Sequence, residues 1–257
     1  MILHNRDKID CKLPNLVLSF AGKRQVFSTG CLNGGYQSEL SAVLIHCDKD
    51  PETGECDMKG NTYEEHLSLA AKEAGFLPQE VNILSTAAPV EYAQIEQETF
   101  RDYCVTAVVT GGILFNGRRI GDLATMWEQD GVYHVLPEEE ITEHQSGTIN
   151  ILVHIDAKLS TQAMAKALML ATEAKVAAIQ EIGLKSCYGD GIATGSGTDG
   201  VTIIADDTSP IYLTQAGSDT KLGQCIGRAV KRAVKQELLL QMEYEKEQNR
   251  LYREHHL

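Results

Sequence analysis

The chain has 257 residues, 43% hydrophobic and 23% charged, with a formal net charge of −13 from 36 acidic and 23 basic residues. That length buries a sizeable core, and the composition is that of a globular protein rather than a disordered one. The acidic excess argues against a nucleic-acid partner, and no run approaches the roughly 18 apolar residues a membrane span needs.

The opening "MILHNRDKIDCKLPN" lacks the apolar centre of a signal peptide, so a cytoplasmic protein is expected. Short β-branched runs bounded by Gly, Asn, Asp or Pro predict strands over 15–20, 24–30, 41–47, 80–87, 103–112, 148–156 and 200–206. Helices are expected over 61–75, over 160–183 and from near Thr220 onward. The second has Ser160 or Thr161 as N-cap and Gly183 as its stop. The third carries "GRAVKRAVK" at 227–235, whose cations alternate with Ala and Val at helical spacing, as on a solvated helix face. Residues 236–257 read as a polar helical tail on a single domain spanning 1–257.

Two features that resemble ligand frameworks do not hold up. Starting at Asp48, an EF-hand needs Gly and Glu where "CDKDPETGECDMKG" (47–60) has Thr53 and Lys59, so this is expected to be a solvated loop. Seven scattered cysteines without a C-x-x-C pair read as reduced thiols, neither zinc finger nor disulfide framework.

Alternating strands and helices imply an α+β fold, mixed β-sheets layered with α-helices. "AVLIHCD" (42–48) also overlays "NILVHID" (150–156) at a shift of 108 residues, which places Gly75 on Gly183, Thr86 on Thr194 and Glu91 on Asp199. One reading is a duplication, two pseudo-symmetric β-α-β-β halves forming one compact unit. The other is that strand–helix–strand units look alike. His46 with Asp48, and His154 with Asp156, would each share a strand face. They would ligate a metal only if the halves met face to face; satisfied histidines at strand ends are the expectation.

Four stretches could carry chemistry. In "LATEAKVAAIQEIG" (170–183), Thr172 and Lys175 share a helix face with Leu168 and Ile179, which places Lys175 at the core's edge. Burial makes such a lysine a base or an anion clamp; Glu173 lies about 100° from Thr172 around the helix. In "GDGIATGSGTDGVTIIA" (189–205), Gly195 and Gly197 alternate with Thr194, Ser196 and Thr198 before Asp199. Such a loop can converge N–H groups on an oxyanion or phosphate, or merely turn a corner. It is neither a P-loop nor a dinucleotide fingerprint, because a strand follows it. "TAVVTGGILFNGRRIGD" (106–122) presents Thr110, Gly111 and Asn116, and "SGTINIL" (146–152) places Thr148 and Asn150 on one strand face.

In order, "GTINILVHIDAKLSTQAMAKALMLATEAKVAAIQEIG" (147–183), "ATGSGTDGVTIIA" (193–205) and "AGSDTKLGQCIGRAV" (216–230) resemble the adenosylcobinamide amidohydrolase family. "TAVVTGGILFNGRRIGD" and "LSFAGKRQVFSTGCLNGG" are similar to earlier segments of that family. The resemblance implies hydrolysis of the amide joining the aminopropanol arm to the corrin of adenosylcobinamide. It implies a corrinoid as substrate rather than cofactor; no metal site, nucleic acid or membrane span is expected, and a homo-oligomer is allowed. It carries no nucleophile with it. For an amide, the glycine-loop N–H groups would hold the oxyanion, Glu173 or Asp199 would activate water, and Lys175 would orient the carboxylate. In a variant, Thr194, Ser196 or Thr198 is a covalent nucleophile. Thr110, Gly111, Asn116, Thr148, Asn150, Thr194, Gly195, Ser196 and Gly197 would bind substrate, with Glu173, Lys175, Thr198 and Asp199 catalytic. A corrinoid-binding protein without hydrolysis, or a phosphate-ligand module, are the alternatives.

Overall fold

The structure is a computed structural model that describes residues 1–49, 56, 58–136 and 147–256, without the side chains of 245 and 248–256. The 50–55 and 57 stretch of the acidic loop therefore lies outside the described residues. In chain order the first half contains β1 (Lys8–Lys12), β2 (Asn15–Ser19), β3 (Arg24–Ser28), β4 (Gly35–Gln37), β5 (Ala42–Cys47), α1 (Tyr63–Glu73) and β6 (Val81–Thr86). Then come β7 (Gln94–Phe100), β8 (Tyr103–Gly111), β9 (Met126–Gln129), β10 (Val132–Val135), β11 (Ile149–Ile155), β12 (Lys158–Leu159), α2 (Thr161–Ile182), β13 (Gly200–Asp206), β14 (Tyr212–Leu213) and α3 (Lys221–His256).

Two sheets dominate, one ordered β1-β2-β5-β6 and the other β4-β3-β13-β11-β8-β7. Side chains alternate across each strand, and three separate apolar clusters follow from that alternation. Val43 and Ile45 of β5 join Leu152 of β11 and Ile204 of β13 between the sheets. Ala42 and Leu44 face Leu67 and Ala71 of α1 on the outer side of the first sheet. Ile151 and Val153 face α2 and α3 on the outer side of the second. The result is four layers, helix–sheet–sheet–helices, the layered α+β fold that the alternation of elements implies.

Capping explains the helix limits. The Thr62 hydroxyl accepts the Glu65 N–H at 3.1 Å and the Ser160 hydroxyl the Ala163 N–H at 3.1 Å, each satisfying a donor left free in the first turn. Gly183 takes a left-handed φ of 78°, which ends α2. Along α2, Ala163, Ala167, Ala171, Ala174 and Ala178 are buried, so small side chains face the sheet and α3. The basic stretch of α3 is engaged within the chain: Lys231 and Lys235 reach Glu181, and Arg232 reaches Glu96 and Glu98 of β7. The expected polar tail begins with packed turns, since Glu237, Leu238 and Gln241 are buried.

The halves do repeat, but not as the 108-residue shift aligns them. Each contains an antiparallel hairpin, an inserted pair of strands, and a strand–helix–parallel strand unit, giving the matching orders β1-β2-β5-β6 and β7-β8-β11-β13. In β5 the even-numbered residues face the helix, whereas in β11 the odd-numbered ones do. An even shift therefore places equivalent residues on opposite faces. His46 points toward α1 and His154 between the sheets, so the two never face one another. The counterpart of β6 is β13, which leaves Thr86 inside a strand and Thr194 in a loop.

Candidate active site

The parallel strands β5 and β6 end where β11 and β13 begin, and a cleft of about 320 Å³ opens there. Ligands of open α/β sheets favour the carboxyl ends of parallel strands, because the chain leaves the sheet there and loops diverge. One wall is Asp48, Tyr63, Ser85 and Thr86; the other is Thr148, Asn150, Thr198 and Asp199, with Thr29, Gly30 and Cys31 between.

The glycine loop holds one of its own carboxylates. Asp199 Oδ1 accepts from Ile149 N at 3.0 Å and Ser196 Oγ at 2.7 Å. Its Oδ2 accepts from Ser196 N at 3.0 Å and from Lys175 Nζ, whose side chain is 9% exposed. A Cβ on residue 195 would meet Asp199 Oδ2 at 2.0 Å and Lys175 Nζ at 2.6 Å, so this position has room only for glycine. The Gly195 N–H bonds the Arg118 carbonyl, and the Thr198 N–H the Ser196 hydroxyl. With Ser196 N already on Asp199, these three amides are engaged inside the protein, not gathered around an open cradle.

The other predicted residues divide clearly. Thr148, Asn150, Thr198 and Asp199 line the cleft. Asn150 Nδ2 donates to the Ser85 carbonyl at 2.6 Å, tying one sheet to the other. Thr148 Oγ1 is buried without a hydrogen-bond partner among the described residues, and so is Thr110 Oγ1 behind the cleft. Asn116 supports the rim through Gly147 O at 2.6 Å, and Thr194 Oγ1 accepts Ile120 N at 2.9 Å, outside the lining. Gly111 N donates to Glu237 Oε1 at 3.1 Å. Burial pushes the Glu237 carboxyl up to about 8. Gly197 is exposed beside the cleft rather than in its lining, and Glu173 is solvent-exposed on the outer side of α2. Glu173 does not join Asp199, because the helical turn that buries Lys175 rotates its neighbour two positions back outward.

The opposite wall is built around His46 and Asp48, to which the fold adds His66, Tyr63 and Ser85. His46, on β5, places Nδ1 2.8 Å from Asn15 Oδ1, and Asp48 follows two residues later. His66, on α1, places Nε2 3.0 Å from Asp48 Oδ1, while Ser85 Oγ donates to Asp48 Oδ2. Tyr63 lines the cleft beside Asp48 and Ser85 with its ring 5.9 Å from that of His66, and desolvation pushes its phenol up to about 12. Burial holds the His46 imidazole below its ordinary range, although Asp48 pulls it the other way. The ligating atoms of His46, Asp48 and His66 lie within 4.8 Å of one another. The H-x-D pair is visible in the sequence; nothing in it announces that His66 packs against the same strand face.

Together these features define a four-layer α+β protein whose reactive groups meet at the junction of two sheets. The chain belongs to the adenosylcobinamide amidohydrolase family, whose model matches residues 2–246. An uncharacterized protein of Methanocaldococcus jannaschii is 31% identical over 229 residues, covering 88% of this chain and 86% of that protein. The crystal structure of a Pyrococcus horikoshii protein aligns with a TM-score of 0.41 at 12% identity, over 88% of this chain and 77% of the other. No helix among the described residues is long and apolar enough to cross a membrane.

Proposed function

We propose that the chain hydrolyses the aminopropanol amide of adenosylcobinamide, releasing adenosylcobyric acid and aminopropanol in corrinoid salvage. The observation that carries this reading, beside family membership, is the lining of the cleft. Hydroxyls, an amide and two carboxylates surround a space of about 320 Å³, enough for an amide-bearing arm while the corrin stays at the mouth. The Thr148 hydroxyl, unpartnered among the described residues, supplies a hydrogen bond to the substrate.

Asp48 is the acid–base group of this reading. Water attacks the amide carbonyl, Asp48 takes one of its protons, and that proton passes to the nitrogen as the C–N bond breaks. The second water proton then leaves the new carboxylic acid for the amine, so the products are a carboxylate and an ammonium. Asp199 and Lys175 act by holding the loop that carries Thr198, because all four hydrogen bonds to Asp199 come from the protein. Corrinoid turnover with separate measurement of aminopropanol tests the proposal. Release by the wild type and loss in Asp48→Asn are expected. Tight corrinoid binding without aminopropanol release would replace it with a corrinoid-binding protein.

A further inference from the structure

The wall opposite the glycine loop has the donors of a metal site. An amide oxygen only accepts, so the bond between His46 Nδ1 and Asn15 Oδ1 puts the ring proton on Nδ1 and leaves the Nε2 lone pair free. Metal-bound histidines are oriented in this way, by an acceptor on the far nitrogen. His46 Nε2 is 3.8 Å from Asp48 Oδ1, and His66 Nε2 is 3.0 Å from the same oxygen. Those separations suit neighbouring ligands around one ion bound at roughly 2.0–2.2 Å. Two imidazoles and a carboxylate favour zinc and related first-row ions over magnesium or calcium.

We propose that His46 Nε2, Asp48 Oδ1 and His66 Nε2 bind one divalent transition-metal ion, with its remaining positions toward the cleft. The inference rests on the amidase reading and deepens it. Asp48, Tyr63 and Ser85 face the cleft, while the two histidines are buried behind Asp48. His66 Nδ1 accepts the Lys59 N–H at 3.0 Å, so its proton lies on Nε2 and points at Asp48. The ion takes the place of that proton, the ring proton moves to Nδ1, and the Lys59 amide turns away. Lys59 lies in a loop, where no sheet or helix hydrogen bond opposes that turn.

The ion supplies the attacking oxygen as bound water. That oxygen joins the carbonyl carbon, the C–N bond breaks, and both water protons end on the departing amine, leaving a carboxylate. Asp48 Oδ2, which holds Ser85, relays a proton while Oδ1 holds the ion.

The test titrates chelator-stripped full-length protein with Zn²⁺ by calorimetry and with Co²⁺ by visible absorption, and follows aminopropanol release separately. One ion per chain is expected. His46→Gln and His66→Gln should weaken binding by more than the roughly 10–100-fold that loss of a supporting partner costs, and Asn15→Ala by about that amount. Lys175→Met should bind the ion like the wild type. Thermal melts identify any variant that has not folded, and Asn15→Ala keeps all three ligands in place. No stoichiometric binding by the wild type, or unchanged binding in both histidine variants, overturns the site. Ion binding without amine release overturns the amidase reading and leaves the site standing. Full release by stripped protein overturns the ion's part in the reaction and leaves the amidase reading standing.

Discussion

Two polar clusters occupy opposite ends of the second sheet's central strands, and they differ in whether they are closed. At the carboxyl ends of β11 and β13, Arg24 grips Asp7 through Nε and Nη2, both at 2.7 Å, and Asp206 through Nη1 at 2.8 Å. His154 Nε2 lies 2.9 Å from Asp7, and the Ala21 N–H adds 2.7 Å. Burial alone would raise Asp7, but the bonds from His154, Arg24 and Ala21 outweigh it and hold its carboxyl low. At the amino ends, Asp48 gathers Ser85 and His66 along a cleft that Tyr63 also lines, and Thr148 Oγ1 has no partner among the described residues. A buried network with every group satisfied is a strut; one left open toward a cleft is available to a ligand.

Four substitutions would break or sharpen that contrast. Arg24→Met leaves two buried carboxylates without their cation and should cost about 3–5 kcal/mol in urea unfolding, with turnover per folded molecule near wild type. A loss under about 1 kcal/mol would mean that the cluster is no strut. Asp48→Asn should reverse this pattern, lowering kcat roughly 10²–10³-fold while the unfolding midpoint scarcely moves. Equal turnover in Asp48→Asn and wild type would remove the carboxylate from the chemistry.

Glu237 lies outside both clusters, and its effect depends on pH. The folded state keeps its proton up to about 8, whereas the unfolded chain releases it at the ordinary carboxyl value of 4.5. Between those values the folded state binds more protons, so wild-type stability falls as pH rises through the window. Glu237→Gln should remove that fall, gaining on the order of 3 kcal/mol over wild type between pH 5 and pH 9. Parallel stability–pH curves would show that the carboxyl titrates normally. The smallest effect is expected for Thr148→Val, which loses one hydrogen bond to substrate, worth about 0.5–1.5 kcal/mol. KM for adenosylcobinamide should rise several-fold without loss of stability; an unchanged KM would leave Thr148 without a role in binding.

Much of the scaffold is legible from local chemistry. β-Branched runs between breakers mark the strands of both sheet interiors, and Ser160 and Gly183 mark the limits of α2. β7 escapes notice because "QIEQETF" is a half-exposed edge strand whose glutamates face Arg232, so apolar alternation is missing. The repeat is visible as composition but not as register: "AVLIHCD" and "NILVHID" share letters, yet their pleats are out of phase. In the site, the helical face of Lys175 and the position of Asp199 are readable, but their mutual pairing is not. Glu173 stands two residues before Lys175 in the T-E-A-K segment, yet the helix turns it to solvent.

What the sequence by itself determined is the menu of elements and the chemical character of their faces, because propensity, capping and periodicity act over a few residues. It also determined the family, through ordered motifs that cover most of the chain. The tertiary structure alone decided which polar groups meet. Asp7 finds Arg24, His66 finds Asp48, and Lys175 finds Asp199 across separations of 17, 18 and 24 residues. Those meetings depend on strand order and on how the helices and loops are carried by the sheets, which no local stretch of sequence encodes. The glycine loop illustrates both levels: its composition announces a tight turn around an anion, and the fold shows that the anion is its own Asp199.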